Sequence, residues 1–210
     1  MGISMLVIRH WPKRGRMGEL RAGLGVSGSR LFLHGDGVVL AEPGRLPDLV
    51  GAPQLEVCAA SWRRRYAGPS DPRFRSSSLT LMYQALDRAD DYRIWGCGGA
   101  SSWHRGDGPA PGWLLEVVTC PVDARDRTET LEFVLGAAAF GLDARVLIRG
   151  PGYNHLLTDA ARGWAQLSDF DLLELICQAP DDVALKVPAR RIDTAGLSVL
   201  DRDSARHLVL

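Results

Sequence analysis

The amino-acid sequence predicts an α/β protein with two similar halves, each a small, mostly parallel sheet with helices on both faces. Short apolar runs alternate with segments of helical periodicity, which is the pattern typical of parallel sheets. Gly35 and Gly150 follow the second strand of each half, and Cys58 and Cys177 end a later strand. The glycines are 150 − 35 = 115 residues apart and the cysteines 177 − 58 = 119, and these nearly equal offsets indicate a duplication.

The first half contains four predicted strands and one well-defined helix. The strand at 5–9 ends before Pro12, and the turn sequence Gly35-Asp36-Gly37 ends the second strand. Apolar residues at helical spacing predict a helix over 78–89. The other expected elements are strands at 30–34, 55–58 and 92–95, and a weak helix at 17–24 that contains two glycines.

A stretch without periodicity separates the halves. Residues 98–112 are rich in glycine, serine and proline, which is typical of a linker or a long surface loop. We therefore expect one domain at 1–99, a linker at 100–112 and a second domain at 113–210.

The second half repeats the order of elements. Its strongest predicted helix covers 128–140, with Thr128 as the N-cap and Gly141 as the residue that ends it. The other expected elements are strands at 113–119, 144–148, 173–177 and 207–210, and a helix at 160–167. Ligands of such sheets bind at the carboxyl ends of the strands, so the site is expected there.

Charge and hydropathy exclude several classes of protein. Lys+Arg and Asp+Glu both number 25, so the chain lacks the basic surplus that nucleic-acid binding needs. No apolar stretch approaches the roughly 20 residues that span a bilayer. The first apolar run precedes the first basic run, which is the reverse of a secretory signal. We expect a cytoplasmic protein with no direct contact to nucleic acid or membrane.

The cysteine and glycine patterns indicate neither a metal nor an organic cofactor. Four cysteines are too sparse for a disulfide scaffold, and no C-x-x-C pair indicates a zinc site. The sequences HGDG and RGPG do not match the phosphate-binding glycine motifs.

Cys58 is the main candidate for chemistry. It ends a predicted strand, precedes a probable helix, and is followed by Arg63, Arg64 and Arg65. Helix amides and cations both stabilise a thiolate, the form of sulfur that acts as a nucleophile. The alternative is a buried cysteine that ends a core strand, because free cysteine is among the most buried residue types. The arginines could equally form a solvated face or a docking patch for an acidic partner.

Other candidates lie at the same strand ends. His34 and His10 could donate a proton or a hydrogen bond to the sulfur of Cys58, and each could equally be a hydrogen-bonded loop residue. Cys177 occupies the matching place in the second half, but Asp181 and Asp182 follow it where the first half has arginines. Because carboxylates oppose a thiolate, Cys177 is expected to be at best a weak second site.

The remaining residues singled out have weaker roles. Cys97, flanked by glycines, is a candidate resolving thiol for Cys58, although an incidental small residue is the simpler interpretation of both Cys97 and Cys120. Asp36 is interpreted as a turn residue and Trp62 as a packing or interface residue. His155 is a secondary candidate only.

The chain resembles the DsrE/DsrF-like (TusD/TusC-like) sulfur-relay family over nearly its whole length. In the first half the resemblance lies in LFLHGDGVVLAEPG, LEVCAASWRRR and LTLMYQALDRADDYRIWG, which is similar to a TusD-type domain. In the second half it lies in RTETLEFVLGAAAFGLDARVLIRGPGYNHLL and GWAQLSDFDLLELIC, which is similar to a TusC-type domain.

This resemblance implies a function for Cys58. The family implies a cysteine that carries sulfur as a persulfide, exchanged with a small TusA-like carrier protein, in tRNA thiolation or sulfur oxidation. It also implies hexamers built from pairs of domains. A fused pair would therefore form a homotrimer that acts as a pseudo-hexamer.

Two other functions are compatible with the sequence. The first is a non-catalytic oligomeric scaffold or regulatory binding module of the same fold, with the thiol unused. The second is a thiol or peroxide reductase that pairs Cys58 with Cys97.

Overall fold

The protein forms two compact units, Met1–Gly106 and Asp107–Leu210. The structure, a computed structural model, describes residues 4–10, 29–46, 53–96, 99–104, 112–204 and 206–210, with side chains omitted at 96 and 99–104. The expected helix at 17–24 and residue Cys97 lie outside these residues. No helix among the described residues is long and apolar enough to cross a membrane.

The first unit contains a mostly parallel sheet in the order β4-β3-β2-β1-β5-β6. Only the pairing of β5 with β6 is antiparallel in the described part of this sheet. Three of the expected strands have apolar, buried residues along most of their length, as expected for a parallel sheet covered on both faces. The strands are β1 (Ser4–Ile8), β2 (Arg30–Leu33), β3 (Gln54–Cys58), β4 (Arg75–Ser77), β5 (Asp91–Gly96) and β6 (Gly99–His104).

The second unit contains a sheet in the order β10-β9-β8-β7-β11, and the pairings described within it are all parallel. Its central strands are fully apolar in their buried positions except at Glu116. The strands are β7 (Trp113–Val117), β8 (Ala144–Arg149), β9 (Glu174–Gln178), β10 (Arg190–Arg191) and β11 (Arg206–Val209).

The two sheets share one topology, which supports the duplication that the sequence predicted. In each unit the first strand lies between the second and the fifth, and the third and fourth continue outward from the second. The glycine sequences both begin short 3-10 helices, Gly35–Ala41 and Gly150–Leu156, with positive φ at Gly35 (56°) and Gly150 (51°). This backbone conformation favours glycine.

The second glycine of each pair packs directly on the end of a neighbouring strand. A Cβ at Gly37 would lie 2.3 Å from the backbone oxygen of Ile8, and one at Gly152 would lie 2.1 Å from that of Val117. Neither site has room for a side chain. The two glycines therefore mark structurally equivalent points, with Ile8 matching Val117 at the carboxyl ends of β1 and β7.

Helices of the first unit follow the expected apolar spacing. Helix α1 (Ala59–Arg65) starts directly after β3, and helix α2 (Leu79–Arg88) buries Met82, Tyr83 and Leu86. The N-cap of α2 is Ser78, whose Oγ accepts a hydrogen bond from the Leu81 amide at 3.3 Å.

The long helix of the second unit begins earlier than the sequence predicted. Helix α3 (Ala124–Phe140) has Asp123 as its N-cap, which accepts from the Asp126 amide at 2.8 Å. The prediction of Thr128 as the N-cap was wrong because a better-placed carboxylate lies one turn earlier, and the Thr128 hydroxyl instead donates to Ala124 within the helix. The prediction for Gly141 is confirmed, since it ends α3 with φ 81°.

Two further helices complete the second unit. Helix α4 (Arg162–Asp169) follows a short 3-10 turn at Asp159–Ala161, and helix α5 (Thr194–Asp203) was not expected from the sequence. Leu200 of α5 packs with Leu114, Leu147 and Ile176, so this helix covers one face of the second sheet.

Part of the expected linker is a strand. Residues 99–104 form β6, which pairs with β5 in antiparallel register from Gly96↔Gly99 to Asp91↔His104. A strand in this sequence is defined by its backbone pairing with β5 rather than by apolar alternation, so the composition of residues 98–112 did not reveal it. The first compact unit accordingly extends through residue 106.

Candidate functional site

Cys58 lies at the carboxyl end of β3 and is the N-cap residue of α1. This position was predicted from the sequence. Its side chain is only 3% exposed, and its nearest strand partner is the buried Ser77 of β4. The thiol is therefore at the expected place but beneath the surface.

Helix α1 is fixed to the core by one aromatic side chain. Trp62 belongs to the buried cluster on one face of the first sheet, stacks on Tyr66 at 4.2 Å, and donates through Nε1 to the Gly68 carbonyl at 2.8 Å. Its interpretation as a packing residue is confirmed. This anchor determines where the first turn of α1, and hence Cys58, is held.

The arginine triplet lies in the last turn of α1, at the opposite end from Cys58. Arg63 donates to the Ala59 carbonyl at 3.2 Å and Arg65 to the Ser61 carbonyl at 3.3 Å, so both side chains reach back to carbonyls in the first turn of the helix. Arg63 and Arg64 are exposed, whereas Arg65 is largely covered. The described contacts of these side chains are with helix carbonyls and carboxylates.

Arg65 connects α1 to the glycine turn after β2. Its Nη2 lies 2.7 Å and its Nε 3.2 Å from Asp36 Oδ1. The other Asp36 oxygen lies 3.7 Å from His10 Nδ1. Asp36 is thus both a turn residue, as expected, and the acceptor that holds a cation from a neighbouring element.

His34 is completely buried at the carboxyl end of β2. Burial first, and then the positive charges of Arg9, Arg65, Arg64 and His10, hold the pKa of His34 well below its ordinary value of 6.5. The ring is therefore a neutral imidazole at pH 7, which can donate an N–H hydrogen bond but does not supply a proton as an imidazolium acid.

The structure adds two residues to this edge that the sequence analysis did not single out. Ser61 is buried on α1, and its Oγ accepts from the Gly35 amide at 3.2 Å. Arg9 follows β1 and is 2% exposed. Both follow a strand closely in the sequence, and this position is the feature from which they could have been predicted. Together with Cys58, His34 and Ser77, they give this edge five buried polar or thiol side chains among the described residues.

Cys177 is not the structural counterpart of Cys58. In the first sheet Leu33 pairs with Val57, and in the second the matching Ile148 pairs with Cys177. Cys177 therefore corresponds to Val57, and Gln178 to Cys58. A shift of one residue places a side chain on the opposite face of a sheet, so the expected pairing of the two cysteines is corrected.

The reason given for a silent Cys177 also changes. Cys177 is fully buried, and that burial raises the pKa of its thiol, while the charge of Arg191 acts in the opposite direction. Asp181 and Asp182, which the sequence analysis held responsible, are exposed. Cys120, by contrast, is an exposed thiol that follows β7.

The second unit has its own cleft at the carboxyl ends of its strands, with a volume of about 870 Å³. It lies beside the start of α5 and is bounded by Gly150, Gln178 and Arg191. Arg191 donates to the Pro180 carbonyl at 2.9 Å and also to the Val183 carbonyl, so its guanidinium supports the adjacent loop. His155, the secondary candidate, is buried beside Trp164.

A charged cluster lies on the face of the second sheet covered by α5. Glu116 Oε2 accepts from Arg149 Nη2 at 2.8 Å, and Oε1 lies 3.6 Å from His207 Nδ1. The His207 Nε2 lies 2.7 Å from the Ser204 carbonyl oxygen. Burial would raise the pKa of Glu116, but His207 and Arg149 outweigh it and lower that pKa, and Glu116 in turn raises the pKa of His207.

Comparison of the chain with family models and with curated proteins identifies no family. No family model matches this chain. No curated protein matches it either. The functional argument therefore rests on the residues and on their geometry.

Proposed function

We propose that the chain is a sulfur-relay protein of the DsrE/DsrF-like type, in which Cys58 accepts sulfane sulfur as a persulfide and passes it to a partner protein. The observation that carries the proposal is the place of Cys58, which ends a parallel strand and caps α1. The carboxyl edge of a parallel sheet is where this class of fold places its chemistry. The shared topology of the two sheets supports a tandem pair of DsrE-like domains with helices on both faces of each sheet.

The transfer consists of two thiol exchanges. The Cys58 thiolate attacks the outer sulfur of a donor persulfide, a new S–S bond forms at Cys58, and the donor cysteine leaves as a thiolate. An acceptor thiolate then attacks the outer sulfur on Cys58, which takes the sulfur away and restores the Cys58 thiolate. Sulfane sulfur is conserved through both steps, so no further oxidant, reductant or cofactor is required.

Residues at the edge have distinct roles in this proposal. Cys58 supplies the sulfur, at the junction of β3 and α1. His34 is a neutral imidazole, so it can donate an N–H hydrogen bond but does not act as an acid. His10 lies 3.7 Å from the exposed Asp36 carboxylate. Arg63 and Arg64 are exposed and are proposed to attract an acidic surface of a small TusA-like carrier.

The same proposal includes an assembly and a cellular place. The second unit would take the position of a TusC-type subunit, so three chains would make a pseudo-hexamer. Sulfane-sulfur exchange requires reduced thiols, which agrees with the expected cytoplasmic setting.

A second candidate function is favoured by one observation, the burial of Cys58 at 3% exposure. An outer sulfur on a donor reaches this thiol only if α1 or an adjoining segment opens locally. If no such opening occurs, the chain is a scaffold or binding module with the same fold. The relay function thus requires that the α1 region opens locally, whereas the scaffold function does not.

Thiol alkylation in the native protein distinguishes the two functions. We expect iodoacetamide to modify Cys58 at least about tenfold faster than Cys177, because local opening requires less free energy than the global unfolding that exposes a core strand. Peptide mass spectrometry of a Cys120→Ser variant gives both rates, without interference from the exposed thiol. Equal, slow rates at Cys58 and Cys177 would support the scaffold and contradict the relay.

A further inference from the structure

We propose that Glu116, Asp201 and His207 form a binding site for a divalent transition-metal ion in the second unit. One ligand atom from each lies within 4.8 Å of the others. The three residues come from β7, the last turn of α5 and β11, so the site connects the helix to two neighbouring strands of the sheet it covers.

The imidazole of His207 is oriented as a metal ligand. A carbonyl oxygen only accepts hydrogen bonds, so the 2.7 Å contact with Ser204 requires a proton on Nε2. Nδ1 then faces Glu116 Oε1 at 3.6 Å, beyond the usual range of an N–H···O hydrogen bond. Two ligands that each lie about 2.0–2.1 Å from one zinc ion are themselves about 3.3 Å apart in tetrahedral geometry. Metal-bound histidines commonly donate their other N–H to a backbone carbonyl in this way.

Glu116 is held in position by a contact that leaves one oxygen for the ion. Arg149 donates through both Nε and Nη2 to Oε2, at 3.2 and 2.8 Å. Oε1 is the atom that faces His207. The guanidinium opposes a second cation nearby, but two carboxylates outweigh its single charge, and Arg149 is itself 40% exposed to solvent.

Asp201 completes the site from the solvent side. It is exposed in the last turn of α5, where the free carbonyls of the helix end also favour a cation. Its carboxylate has rotamer freedom to shorten the 4.8 Å spacing to a ligand distance. One imidazole nitrogen with two carboxylate oxygens suits Zn²⁺ or a similar divalent ion, and the exposed side leaves coordination positions for water.

The proposal is independent of the proposed relay, because its ligands are oxygen and nitrogen and all lie in the second unit. It also differs from the sequence-based expectation of no metal. That expectation considered paired cysteines, whereas these ligands are carboxylates and an imidazole from three separate elements.

Calorimetric titration of the dialysed full chain with Zn²⁺ alone tests the site. We expect one ion per chain, and we expect Asp201→Asn to weaken binding at least tenfold, the scale of losing one ligand or its support. Asp203→Asn is the matched control, since Asp203 is also exposed in the last turn of α5 but is not part of the cluster. His207→Gln should weaken binding as much as Asp201→Asn.

Cobalt substitution tests whether a cysteine binds the ion. We expect Co²⁺ to bind without a thiolate-to-metal charge-transfer band. If wild-type protein binds no zinc at about millimolar concentration, the proposal is wrong, and His207 and Glu116 form only an imidazolium–carboxylate pair. Equal affinities for Asp201→Asn and Asp203→Asn, or a thiolate band that assigns the ion to Cys120, would overturn it as well.

Discussion

Replacing Gly37 with alanine is expected to destabilise the first unit by about 3 kcal/mol, which is at the upper end of the cost of overpacking a core. The added Cβ would lie 2.3 Å from the Ile8 oxygen and 2.9 Å from its carbonyl carbon. Both are backbone atoms at the end of a buried central strand, so they cannot rotate away as a side chain would. The strand end, the 3-10 helix after β2, or both must move.

Urea unfolding followed by circular dichroism measures this effect. Gly68→Ala is the matched control, since nothing lies within 4 Å of a Cβ at Gly68, and we expect its free energy of unfolding to change by less than about 0.5 kcal/mol. Gly152→Ala should destabilise the second unit for the same reason as Gly37→Ala does the first, because its Cβ would lie 2.1 Å from the Val117 oxygen. A loss below about 1 kcal/mol for Gly37→Ala would contradict this close approach.

Acid is expected to destabilise the protein through His34. The folded-state pKa of His34 is held well below 6.5 by burial and neighbouring cations, whereas the unfolded chain has the ordinary value. Below pH 6.5 the His34 imidazole is therefore mostly protonated in the unfolded chain, whereas it stays neutral in the folded protein. Stability is fully present above the unfolded pKa and falls as the pH decreases, until the folded-state pKa is reached. Between pH 7 and pH 5 this single group removes at most about 2 kcal/mol, the limit that the unfolded-state pKa of 6.5 sets.

The contribution of His34 is measured by comparing how much stability wild type and a His34→Gln variant lose between pH 7 and pH 5. Urea unfolding at pH 7 and pH 5 is compared for wild type and for His34→Gln, which cannot titrate. We expect the wild type to lose more than the variant, by up to about 2 kcal/mol, whatever the stability of the variant at pH 7. Equal losses would mean that His34 accepts a proton in the folded state, and its proposed role as a neutral imidazole would then be wrong.

The central strands were predictable because each is a short, apolar, buried segment with a turn signal after it. Of the four edge strands in the two described sheets, only the apolar β11 was predicted. Strand β4 is the polar sequence RSS, β10 is two arginines, and β6 lies in a stretch that reads as a linker. Such strands form through backbone hydrogen bonds with a neighbouring strand, and these bonds require no alternation of apolar and polar residues in the sequence.

The candidate site was predictable in location but not in burial. The strand end and the helix start around Cys58 are local features of LEVCAASW, and the structure has both. Its 3% exposure depends on β4 and on the packing of Trp62, which involve contacts between separate parts of the chain. The arginines follow Cys58 closely in sequence, but their described hydrogen bonds go to helix carbonyls and to Asp36.

Register explains why Cys177 was paired with Cys58. Leu33 and Val57 are 57 − 33 = 24 residues apart, whereas Ile148 and Cys177 are 177 − 148 = 29 apart, so the connections differ in length between the halves. Similar offsets in sequence therefore did not correspond to the same position in the sheet. The cluster of Glu116, Asp201 and His207 was hidden for a related reason, since its members come from distant elements and form no local motif.

Persulfide loading followed by intact-mass and peptide mass spectrometry tests the central claim, that Cys58 carries sulfane sulfur. Wild-type protein is incubated with a small persulfide donor, and the same treatment is applied to Cys58→Ser and Cys120→Ser. We predict that wild type and Cys120→Ser gain one sulfur on the peptide that contains Cys58, and that the total gain of Cys58→Ser is smaller than that of wild type by this sulfur, any remaining gain lying on the exposed Cys120. Wild type that gains no sulfur, or Cys58→Ser that gains as much as wild type, would contradict the relay function.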